Sequence, residues 1–186
     1  MNFIKDNLKQ AGIFNAILIA IAIVLEAYIL FTTKEFISDY LFSISIIVAL
    51  VFGLFYSING YQKNAAKYYK LFMNMCVLAY FLSAASDLFY IDDAVFGASM
   101  ITTYASFVRL IPIAILAFAR DYGNRNSLIC AYVVFLITLF IFIRCIVVYS
   151  EYSGLIIDDL SQLVLSGIIV VFVAAKYEDK DARGTE

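Results

Sequence analysis

Hydrophobic positions fall into six long blocks, roughly residues 11–32, 37–57, 70–90, 96–119, 128–150 and 156–175, separated by short polar breaks. Each block is close to the ~20 residues that carry a helix across ~30 Å of hydrocarbon. The pattern predicts an all-α, polytopic integral membrane protein, a compact bundle of six transmembrane helices. The breaks at 33–36, 58–69, 91–95, 120–127 and 151–155 are short, so chain neighbours are expected to pack antiparallel. The longest break opens on Asn59-Gly60, a turn signal.

The flanks read differently from the blocks. Residues 1–10 place Phe3, Ile4 and Leu8 among Lys5, Asp6 and Lys9, the pattern of a cytoplasmic amphipathic lead-in lying along headgroups. The apolar run that follows exceeds the ~7–15 residues of a secretory signal core, so it is read as an uncleaved first span. Residues 11–176 then form one six-helix transmembrane domain, and the charged residues 177–186 are expected to be a disordered cytoplasmic tail.

Composition narrows the class further. The chain of 186 residues is 64% hydrophobic and 15% charged, which excludes an ordinary soluble domain and leaves no room for an extramembrane catalytic module. The cations are segregated. Ten of the 13 Lys and Arg residues fall on one predicted side: Lys5, Lys9, Lys63, Lys67, Lys70, Arg120, Arg125, Lys176, Lys180 and Arg183. Cation-rich flanks stay cytoplasmic, which predicts a cell-membrane protein with both termini inside (N-in/C-in). The opposite side carries Lys34 against Glu35, Asp39, Asp92, Asp93, Glu151, Asp158 and Asp159. With charge divided in this way, the lipid bilayer is the first partner expected and nucleic acid is not one. Tyr28, Tyr40, Tyr90, Tyr149 and Tyr152 outside, and Tyr56, Tyr61, Tyr68, Tyr69 and Tyr122 inside, take the interfacial places in a chain without Trp. There is no His, and Cys76, Cys130 and Cys145 lie within spans, so neither a metal, a cofactor nor a disulfide framework is expected.

Candidate chemistry centres on the charges inside the spans, because an ionisable residue at mid-bilayer costs about 2.5–3.5 kcal/mol on insertion scales. Glu26, Asp87, Arg109 and Arg144 qualify. At ~1.5 Å per residue, Glu26, Asp87 and Arg144 reach the outer third of their helices, which suggests an outer-half polar cluster that Asp158, Asp159 and Gln162 of span six can join. Arg144 also stands near a helix C-terminus, where snorkelling and the macrodipole would accommodate it alone. Asp158 and Asp159 equally suit the first turn of a helix. Glu26 and Asp87 are harder to account for, since both lie in the C-terminal part of their helices, where the dipole disfavours an anion, and Glu26 is too deep to reach water. A cation such as Arg144, a bound solute or a proton must compensate it.

Span three carries Cys76, Tyr80, Ser83, Asp87 and Tyr90 at three- and four-residue steps, one polar stripe that should face inward. Span four carries Ser99, Thr102 or Thr103, Ser106 and Arg109, followed by Pro112, whose missing N–H favours a kink. Ser and Thr stripes commonly serve helix packing in membranes. Arg109 is expected deeper, toward the inner half, with Asn15 and Asn74 near its depth and no carboxylate at its level. An inward guanidinium there is a candidate anion or headgroup site.

Ala16, Ala20 and Ala27, with Ala22 beside them, give span one a small-residue face. In length, span count and Ala16-x-x-x-Ala20, the chain resembles the substrate-binding subunits of energy-coupling-factor vitamin transporters. That resemblance implies a membrane-embedded recognition subunit, and no vitamin-pocket signature accompanies it. The candidate ligand-binding residues are Glu26, Tyr80, Ser83, Asp87, Arg109, Arg144, Asp158 and Gln162, and no catalytic residue is assigned. The function expected first is recognition or transport of a small polar solute or cation. One alternative is an accessory or structural protein joined by helix contacts to another membrane protein. The other is an intramembrane enzyme using Glu26 and Asp87 as acid and base on a lipid-derived substrate; an enzyme is the least favoured class, because no His or metal-ligand cluster accompanies the acids.

Overall fold

A computed structural model describes residues 2–32, 37–59, 66–89, 96–119, 123–148 and 153–184. The described chain is all helical: α1 (Asn2–Thr32), α2 (Ile37–Ile58), α3 (Ala66–Phe89), α4 (Phe96–Phe118), α5 (Arg125–Val148) and α6 (Ser153–Gly184). Each helix packs on the next, and α6 returns to meet α1. One core runs through all six, from Ile19 of α1 to Phe172 and Val173 of α6.

Helix ends follow local chemistry. Asn124 caps α5: its side-chain oxygen accepts from the Ser127 N–H at 2.8 Å and its carbonyl from the Leu128 N–H at 3.1 Å. The cap lets α5 begin at Arg125, one turn before the apolar block. At the end of α2, the Asn59 side chain and its backbone N–H both donate to the Phe55 carbonyl, at 2.7 and 3.2 Å. The lead-in is continuous with α1 from Asn2, and α6 runs on through the charged residues after Lys176 as far as Gly184. A helix already nucleated by its apolar part propagates cheaply into Glu, Lys and Ala.

Among the described residues, five helices contain stretches long and apolar enough to cross a membrane: Gly12–Thr32, Tyr40–Ile58, Met100–Phe118, Arg125–Val148 and Ile156–Tyr177. Their outer faces are apolar too. Phe14, Val24, Tyr28 and Phe31 of α1, Ile111 and Ile115 of α4, and Leu136 and Val147 of α5 are exposed. Such a surface suits lipid and would be a liability in water.

α3 carries Lys67, Lys70, Asn74, Ser83 and Asp87. It compensates by burial. Tyr69, Phe72, Met73, Cys76, Ala79, Tyr80 and Ala84 are all at or below 1% exposure, a face repeating at three- and four-residue steps. Polar groups on a helix are tolerated at membrane depth when they turn toward protein.

Aromatic packing ties α2, α3 and α6 together. The Phe172 ring meets Tyr56 and Phe72 edge-on, each at 5.0 Å between centroids, and Tyr56 lies 5.6 Å from Tyr69. Gly53 admits this cluster, since a Cβ there would stand 3.2 Å from the Phe72 ring.

Gly123 has a stricter role. A Cβ at this position would meet both the Lys176 carbonyl oxygen and its Cγ at 2.9 Å. Gly123, just before α5, therefore rests directly on the backbone of α6. Gly123→Ala is expected to lower stability by about 1–3 kcal/mol, since a helix carbonyl cannot yield as a side chain would. Thermal melting in detergent measures it; unchanged melting would mean the contact is slack.

Candidate functional site

The middle of the bundle holds a polar layer built from sparse residues in apolar helices. Tyr80 of α3 is fully buried, and its hydroxyl donates to the Gln162 carbonyl of α6 at 3.1 Å. One turn on, the Ser83 hydroxyl donates to the Gln162 side-chain oxygen at 3.2 Å. The Gln162 amide nitrogen in turn donates to the Asp159 carboxylate at 3.3 Å. The donors thus run from α3 into α6 and end on an anion, the arrangement that strengthens each bond in the chain.

Arg109 enters from α4. It is 0% exposed and the largest fully buried side chain. Its guanidinium lies over the Tyr80 ring, 4.2 Å from the centroid, and its Nη1 donates to the Thr138 hydroxyl of α5 at 3.3 Å. Thr138 itself donates to the Val134 carbonyl at 2.8 Å, which leaves an oxygen lone pair turned to the cation. An aromatic face and a hydroxyl therefore flank this buried charge.

Inter-helix contacts place the other polar residues on the same level. The Asn15 amide donates to the Ser57 hydroxyl at 3.5 Å, which sets the antiparallel register of α1 against α2. Eleven residues along α1 from Asn15 is Glu26, and eleven back from Ser57 is Ile46, with Ser43 and Ser45 within one turn. The Gly53–Phe72 and Tyr56–Tyr69 contacts set α2 against α3, and the same count brings Ile46 level with Ala79, beside Tyr80. Glu26, Ser43, Tyr80, Arg109, Thr138 and Gln162 therefore fall at similar heights, central in the apolar stretches of α4 and α5 and nearer one end in those of α1, α2 and α6.

Among these residues Glu26 stands apart. It is 1% exposed, and neither carboxylate oxygen has a hydrogen-bond partner among the described residues. The Ser43 and Ser106 hydroxyls, 0% and 1% exposed, are likewise without a hydrogen bond there. Ser45 differs, because its hydroxyl is committed to the Phe42 carbonyl at 2.6 Å. An ionised carboxylate without donors in a low-dielectric interior is costly, so its retention calls for a reason other than stability.

The eight residues singled out from sequence are thus distributed unevenly. Tyr80, Ser83, Arg109 and Gln162 are joined by direct contacts, and Glu26 shares their level from α1. Arg144 is half-buried near the end of α5, its Nε without a hydrogen bond among the described residues, and no ion pair joins it to Glu26. Asp158 is half-buried on α6. The Asp87 and Ser99 side chains, and Tyr90, lie outside the described residues. Asn15 bonds Ser57 and Asn74 is exposed, so the polar neighbour of Arg109 is Thr138 instead. Ala16 is half-buried and Ala20 exposed on α1. Among the described residues no group of three or more His, Cys, Asp or Glu is placed to hold a metal ion.

Comparison with known proteins adds no relative: no protein-family model, curated protein or solved structure matches the chain.

Proposed function

We propose that this multi-pass helical membrane protein recognises or carries a small polar solute or cation through its mid-bundle polar layer. α3 serves as a sixth, interior span, and both termini face the cytoplasm of a cell membrane. One observation carries the reading: the Glu26 carboxylate is buried to 1% exposure with no hydrogen-bond partner among the described residues, at the level of an otherwise bonded polar layer. A ligand supplies the missing partner. Packing alone would favour an apolar side chain there, as lipid-exposed and core positions along α1 already have.

The test is a melting assay of the purified protein in detergent against amino acids, vitamins and inorganic cations. At least one solute should raise the melting temperature saturably, and Glu26→Gln should abolish the gain. A flat response across the panel contradicts the proposal.

The bonded part of the layer favours a second reading, an accessory protein whose polar contacts fix helix register for a membrane partner. Tyr80, Ser83, Gln162 and Asp159 pin α3 to α6 without any ligand. On that reading Glu26→Gln would change accumulation of a partner complex and leave solute response absent in both forms.

A further inference from the structure

We propose that Glu26 and Ser43 form, between α1 and α2, a site for one positive charge on a small ligand, either an alkali cation or the primary ammonium group of an organic solute. This rests on the solute-recognition function above and names the chemistry of what is recognised.

Two independent groups point to the site. The Glu26 carboxylate and the Ser43 hydroxyl lie on adjacent helices, are 1% and 0% exposed, and have no hydrogen-bond partner among the described residues. The α1–α2 register set by Asn15 and Ser57 brings Ser43 three residues, about 4.5 Å along the axis, from the level of Glu26. Buried residues close to them along these two helices include Ile29, Phe42 and Ile46, which have no side-chain donor, and Ser45, whose hydroxyl is committed to the Phe42 carbonyl. What the pair presents is oxygen, carrying one negative charge when the carboxylate is ionised.

Charge decides the ligand class. An anion would be repelled, and a neutral solute would leave the carboxylate charge uncompensated in the low dielectric of the bundle. Divalent and transition ions ask for several acidic or softer ligands, and no such group of three or more occurs among the described residues. A single carboxylate matches a single positive charge. The carboxylate supplies either a coordinating oxygen for an alkali ion or an acceptor for an ammonium N–H, and the Ser43 oxygen supplies a second. Arg109 is directed elsewhere, over the Tyr80 ring of α3 and to the Thr138 hydroxyl of α5.

The experiment uses the full-length protein purified in detergent, with ionic strength held by a bulky quaternary ammonium salt. Melting is followed in one arm against lithium, sodium and potassium chlorides, and in the other against primary alkylammonium chlorides beside the corresponding alcohols. One arm should give a saturable rise of several degrees, identifying the source of the charge, while the alcohols give none. Glu26→Gln should remove the rise, and Ser43→Ala should weaken apparent affinity about tenfold. If Glu26→Gln fails to accumulate, Ser43→Ala carries the comparison. A cation response equal in wild type and both variants overturns the site. A response only to neutral or anionic solutes, lost in Glu26→Gln, overturns the cation assignment and leaves solute recognition standing. Silence toward every solute and cation removes both.

Discussion

Phe172→Ala is expected to cost about 3–5 kcal/mol, the range for deleting a large buried aromatic side chain. The ring is fully buried, and it is the shared partner of Tyr56 on α2 and Phe72 on α3. In a bilayer, helices gain little from leaving lipid, so dispersion contacts and ring geometry hold them together. Each edge-on pair is worth about 0.5–1.5 kcal/mol beyond its buried area. Losing both at once opens a void next to Gly53, where no Cβ is present to fill it. Denaturation in detergent should show a large loss for Phe172→Ala and a much smaller one for Phe172→Leu. Equal small losses would mean that the three helices are held elsewhere.

Arg109 should behave differently according to what replaces it. Arg109→Ala removes a fully buried side chain that covers the Tyr80 ring, and a loss of about 3 kcal/mol or more is expected from the cavity alone. Arg109→Met keeps much of the volume and removes the charge. Replacing buried ionic groups by apolar residues of similar volume is often neutral or stabilising by about 1–4 kcal/mol. The account therefore predicts that the alanine variant melts early and the methionine variant melts at or above wild type. Equal destabilisation by both would show that the charge itself holds α4 to α3 and α5, in favour of a structural role for the layer.

Much of this architecture is legible in the chain because bilayer thickness imposes block lengths that few other constraints produce. The breaks between apolar blocks mark the connections well. Ends governed by individual caps are less visible: Asn124 starts α5 a turn early, and α6 continues into a charged segment that composition alone assigns to disorder. α3 reads as a span by its apolar block at residues 70–90, which carries an inward polar stripe. Its burial among neighbours is a tertiary fact.

The site divides along the same line. Tyr80, Ser83, Arg109 and Gln162 are conspicuous as polar residues in apolar surroundings, and a polar side chain at that depth must find protein. Depth estimated along one helix, however, says nothing about which way a residue faces or which helix stands opposite. That is why Glu26 and Arg144 match each other in height along their helices yet are not joined by an ion pair, while Arg109 meets Thr138. Thr138 and Ser43 pass unnoticed in sequence, since a lone hydroxyl in a membrane helix ordinarily bonds its own backbone, as Ser45 and Ser166 do. Only the register between helices gives these two their significance.

Melting of Glu26→Leu beside wild type, without added solute, tests most directly whether the α1 carboxylate is kept for a ligand. Insertion scales set an acidic residue within a span apart from leucine by up to about 3 kcal/mol, and no hydrogen bond would be lost among the described residues. A higher melting temperature for the leucine variant is the predicted result. A lower one would contradict the account, because it would show that the carboxylate supports the fold itself.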